Sequence, residues 1–142
     1  MSDFEAFNWH DNPIHGFGLV EGEYGLGKLV LDIDYITEWV CSDEGSFSFR
    51  IAPADLVFED VSDLVVSLDY QSCSAGLTPP SIHVIRREPR THPNGHQNFA
   101  WHIDINWPSG GYIRFTAPGF TQTLRKEPIL SDGQVLDPRD RD

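Results

Sequence analysis

Residues 29–39 read Leu-Val-Leu-Asp-Ile-Asp-Tyr-Ile-Thr-Glu-Trp, and this stretch decides the class of fold. Leu29, Leu31, Ile33 and Tyr35 fall on one side of a period-two repeat, and Asp32 and Asp34 fall on the other. Side chains along a strand alternate between faces, so the stretch reads as a half-buried β-strand turning two carboxylates outward. The same alternation returns at 64–70, 99–107 and 112–117.

Turn signals divide the rest of the chain. Asn12-Pro13 opens a strand running to about Val20, and the glycine-rich connection 21–27 returns it as a hairpin arm over 28–37. After a turn at 42–45, strands are expected at 46–52, 56–59 and 64–70. A loop at 72–80 ends in a double proline, followed by a strand at 82–88 and a polar loop at 89–98. Strands 99–107 and 111–117 form a hairpin across Pro108-Ser-Gly-Gly111, whose glycines supply the positive φ that hairpin loops demand. Phe120 and Leu124 fit both helical and strand periods, and 120–126 is read as strand. The expectation is a mainly β protein, an antiparallel meander of eight or nine strands forming a sandwich or strongly curled sheet. Residues 1–136 make one domain, with 137–142 as a solvated tail.

With 142 residues, 39% of them hydrophobic, the chain is long enough to close a real core. No run approaches the roughly 18 apolar residues of a membrane span, and the first residues lack the basic and apolar regions of a secretory signal. A cytoplasmic location is therefore expected. Cys41 and Cys73 read as free thiols there, since their spacing matches no zinc site. The net charge of −12, from 22 acids against 10 bases, disfavours nucleic acid and anionic membrane surfaces. It would steer a basic protein partner towards the chain.

The period-two rule sorts the polar side chains of these strands. Asp32, Asp34, Arg50, Ser67, Asp69, His102, Asp104, Asn106 and Arg114 all lie opposite the apolar positions. If their strands share one sheet, Asp32, Asp34, Asp69 and Asp104 pair across it with Arg50 and Arg114. Such a face is either a binding groove or a solvated surface laced with weak ion pairs. His10-Asp11, ahead of the first strand and behind Phe7 and Trp9, and His102-x-Asp104 supply imidazole–carboxylate pairs suited to general acid–base work. His92-x3-His96 has a metal-pair spacing only on a helix, which Pro93-Asn94-Gly95 opposes, so no metal and no cofactor are expected. No Gly-x-Ser-x-Gly is present, and the glycine-rich stretch 21–27 joins two strands beside Glu21 and Glu23, which would repel phosphate.

The blocks His10-Asp-Asn-Pro-Ile-His-Gly16, Leu31-Asp-Ile-Asp-Tyr-Ile-Thr-Glu-Trp39, Phe49-Arg-Ile-Ala-Pro-Ala54 and Gly119-Phe-Thr-Gln-Thr-Leu-Arg125 resemble, in the same order, those of a group of small bacterial proteins. That resemblance covers nearly the whole chain and implies no activity, cofactor or partner, so it carries over no functional residue. The His-Asp opening followed by β-hairpins is also similar to small bacterial immunity proteins of polymorphic toxin systems, a likeness of size, acidity and one short motif. The leading expectation is a non-enzymatic module that meets a basic protein through its acidic face or an edge strand, with an immunity-like role as one version. The alternatives are a small-molecule-binding protein or hydrolase using His10, Asp11, His102 and Asp104, and a homo-oligomer paired through sheet edges.

Overall fold

A computed structural model describes residues 3–23, 27–42, 44–71, 76–91 and 97–141. After a 3-10 turn at Asp3–Ala6 come β1 (Ile14–Val20), β2 (Gly27–Cys41), β3 (Phe47–Ser67), β4 (Ser81–Thr91), β5 (Gln97–Trp107), β6 (Tyr112–Ala117), β7 (Phe120–Leu124), β8 (Ile129–Ser131) and a one-turn helix α1 (Pro138–Arg141). All strand pairs are antiparallel, in the order β1-β2-β3-β6-β5-β4, and the sheet is not closed. β7 and β8 also pair with β3. Two three-stranded meanders, β1-β2-β3 and β4-β5-β6, thus join where the end of β3 meets β6.

β3 is the element that sequence reading divides wrongly. The strands expected at 46–52, 56–59 and 64–70 are one continuous strand that ends at Ser67. Pro53 looks like a break but pairs in regular register opposite Asp34, and the acidic stretch after Phe58 is a bend within the ladder. Asp60 and Asp63 adopt left-handed φ of 52° and 57°, and the register shifts between Ser62 and Val65. A bulge of this kind turns a strand without ending it, and aspartate tolerates that conformation better than most residues. The stretch 120–126 is strand over Phe120–Leu124, whereas β8 is unanticipated. Thr91 and Gln97 extend β4 and β5 into the expected polar loop. His92, His96, Cys73 and Asp43 lie outside the described residues.

The core fills the space between the two meanders. Leu29, Leu31 and Ile33 of β2 face Trp101, Ile103 and Ile105 of β5 in one buried cluster. Phe58 sits at its centre, with ring centroids 4.6 Å from Phe115 and 5.0 Å from Trp101. Tyr35, Leu64, Val66 and Leu68 pack at its margin. The N-terminal segment closes one side with Phe4, Phe7 and Trp9, and the Trp9 indole donates to Gln122 Oε1 at 2.8 Å. Each large apolar side chain removed from water contributes about 1.5–3 kcal/mol, so the inter-sheet cluster dominates stability.

A second, smaller cluster of Ile36, Phe49, Ile51 and Leu136 lies where the C-terminal segment folds over β2 and β3. Residues 137–141 are therefore not part of a solvated tail, as their charge led the whole of 137–142 to be read. Asp137 caps α1 by accepting from Arg139 N at 3.1 Å, and Pro138 takes the first helical position, where its missing N–H costs nothing. Arg141 then turns inward and is buried. Among the described residues, no helix is long and apolar enough to cross a membrane.

Candidate functional site

Three adjacent strands place Arg86, His102 and Arg114 side by side, since Arg86 pairs in register with His102 and His102 with Arg114. The next row is Glu88, Ala100 and Thr116. Two small side chains in that row lower the floor, and longer ones rise around it. The result is a cleft of about 670 Å³ bordered by Arg86, Arg90, Arg114 and His102, with Asp63 and Glu88 as its only acids among the described residues. Three of the chain's ten basic residues, Arg86, Arg90 and Arg114, thus share one face of a protein with a net charge of −12, while Arg87, in the alternate row, turns its guanidinium to the core aromatics.

On the other side of this row lies Asp104. It accepts from His102 Nε2 at 2.8 Å and pairs with Arg86 Nη2 at 3.0 Å. The His102 ring stacks on Tyr112 with centroids 5.6 Å apart, and the Arg114 guanidinium lies 5.3 Å from the Tyr112 ring centre. Arg87 is held over Phe4 and Phe99, 4.6 and 4.3 Å from their ring centres. Arg90 and Arg114 are exposed and form no ion pair among the described residues. The His102–Asp104 pair orients an imidazole at the rim, but among the described residues no serine or cysteine lines the cleft.

His10 and Asp11 lie further along the same outer row, away from the cleft. Asp11 accepts from Asn106 Nδ2 at 2.8 Å and Gln134 Nε2 at 3.2 Å, while His10 Nδ1 lies 3.0 Å from the His83 carbonyl oxygen. His10 Nε2 and Asp11 stand 3.5 Å apart. The four residues expected as one His/Asp cluster therefore form two separate pairs. Among the described residues, no three His, Cys, Asp or Glu side chains are grouped to share a metal ion.

The expected row of four aspartates is also divided. Asp32 and Asp34 belong to β2, whose outer face the C-terminal segment covers. Asp32 sits opposite Asp55, and Arg125 bridges these like charges, with Nη2–Asp32 at 2.9 Å and Nη1–Asp55 at 2.5 Å. Arg141 grips Asp32 with one guanidinium nitrogen and Asp34 with the other. Asp34 is fully buried rather than outward in water, and its Oδ2 also meets His15 Nε2 at 2.7 Å and Leu136 N at 2.9 Å. Burial pushes the Asp32 carboxyl up, but hydrogen bonds and charge from Arg141 and Arg125 outweigh it and hold the group below its ordinary value. Burial likewise disfavours the charged Arg125, and Asp32 and Asp55 more than compensate, raising it. Asp69 lies apart, beyond β3, accepting from Gln71 N at 2.8 Å.

The two arginines expected to clamp those aspartates do neither task. Arg50 pairs across the ladder with Glu38 at 3.1 Å on the surface, and Arg114 faces the cleft. Sequence reading missed Arg86 and Arg90 as site residues. The signal was present: three arginines within five residues of an otherwise acidic chain. No family model, curated protein or solved structure matches this chain.

Proposed function

We propose that this protein is a non-enzymatic binding domain that takes a compact anionic ligand in the cleft across β4, β5 and β6. The observation that carries the reading is the gathering of Arg86, Arg90 and Arg114 around one concavity. A guanidinium offers a planar fork of donors that matches carboxylate or phosphate oxygens. Long-range repulsion from a chain of net charge −12 selects against extended polyanions, whereas a small anion meets mainly the local field. The space suits a small molecule, since ligand pockets are commonly about 300–1,000 Å³.

The test is an amide NMR titration with inorganic phosphate and, separately, succinate. Amides of Ala100, His102 and Thr116 should shift, and the double variant Arg90→Gln/Arg114→Gln should lose the response. An unresponsive cleft, or shifts that survive in the double variant, would sink the reading. A basic protein partner is the second reading, favoured by the acidity of the surface outside the cleft. Titration with a lysine-rich peptide that moves amides near Glu21, Glu23 and Glu38 while sparing the cleft would support it instead.

A further inference from the structure

The two edges of the sheet differ in how they are guarded. β4 carries Arg86, Arg87, Glu88, Pro89 and Arg90 along its edge, the charges and proline that natural edge strands use to discourage a further strand. β1 reads Ile-His-Gly-Phe-Gly-Leu-Val and has no Lys, Arg, Asp, Glu or proline. Its outer edge is tied at the start, where Ile14 N donates to the Pro80 carbonyl at 2.7 Å, and from there to Phe17 it borders an open groove of about 320 Å³ whose far wall is Leu77 to Pro80. From Phe17 to Val20 the strand is exposed, with Phe17 at 46%, Leu19 at 68% and Val20 at 46%. A side chain added at Gly16 or Gly18 would meet nothing, so another backbone can approach there closely.

We propose that β1 is a homodimer interface, in which the β1 strands of two copies pair antiparallel about a two-fold axis at Gly18. The occupant is a second copy because the strand is complementary to itself in that register. Gly18 meets Gly18, and Phe17 of each copy faces Leu19 of the other, which covers the exposed apolar side chains in two cross-strand pairs. The register uses residues 16–20, begins beyond the tied Ile14, and brings Val20 of the second copy to Gly16, in the groove beside Leu77 and Thr78. It also joins two copies of net charge −12 through a segment without acidic residues. The contact is independent of the arginine cleft, which belongs to the other meander.

Sedimentation velocity over a concentration series tests the proposal. The unaltered chain should show a monomer–dimer equilibrium that tightens as salt screens the repulsion between copies. Leu19→Lys should raise the dissociation constant at least about tenfold, because its ammonium would have to be desolvated against Phe17. Val84→Lys on the guarded β4 edge should leave dimerisation unchanged. In a Cys41→Ser/Cys73→Ser background, Gly18→Cys should cross-link to itself on mild oxidation, since facing strand positions lie within disulfide reach. A monomer at every concentration, a dimer indifferent to Leu19→Lys, or one weakened by salt would overturn the proposal.

Discussion

On β2, Asp32 and Asp34 stand two residues apart and meet Arg125 and Arg141; on β5, His102 and Asp104 stand at the same spacing and meet Arg86, with Arg114 alongside. Both rows point away from the shared core, and both are built from the same residue types. They differ in cover. The C-terminal segment lies over the first, so every charge there must be answered by a partner, and Arg125 and Arg141 are both engaged in answering them. Nothing among the described residues lies over the second, and its surplus guanidiniums border a cleft. Coverage by a chain segment, rather than residue type, separates a structural charge network from an open cleft here.

The largest effect should come from uncoupling the covered face. Arg141→Ala leaves the buried Asp34 without its guanidinium and should cost about 3–5 kcal/mol in urea unfolding, the usual penalty for orphaning one partner of a buried pair. Arg139→Ala, two residues away and exposed, should stay within about 0.5 kcal/mol. Equal urea midpoints for the two variants would show that the covered face does not depend on its ion pairs.

A smaller effect should appear in acid. Because the Asp32 carboxyl is held below its ordinary value in the folded state, it contributes stability above the unfolded value of about 4, which is lost as pH falls through the folded value. Asp32→Asn should therefore flatten the acid limb of a stability–pH curve. An unchanged limb would mean that other carboxylates set it. The smallest effect belongs to the open face, where Arg114→Gln should alter stability by no more than about 0.5 kcal/mol. A larger loss would make Arg114 a structural residue like Arg141 and dissolve the contrast.

The fold was largely legible because its strands obey period two. Leu29, Leu31 and Ile33 are buried as read, and so are Trp101, Ile103 and Ile105. Alternation identifies which residues face away from a core, but not whether something else lies across them. Hence Asp34 looked solvated, although Leu136 and Arg141 close over it from more than a hundred positions along the chain. Residues 137–142, five charged residues and a proline with no apolar stripe, gave no reason to dock them. The cleft escaped for a different reason. Arg86 and Arg114 come from strands that are not consecutive, and only the register through His102 makes them neighbours.

The bend in β3 bears on how the chain assembles. Hairpins such as β5–β6 join residues close in sequence and close small loops. β3, by contrast, meets β6 through Ser62 and Thr116, and β8 through Arg50 and Leu130, so one strand must find partners across two long spans. Closing each span carries a chain-entropy cost that local hairpins avoid, and non-local pairing of this kind slows folding. The two meanders are joined only through β3 among the described strand pairs. The aspartates that bend it, Asp60 and Asp63, therefore sit where the search for the native topology converges.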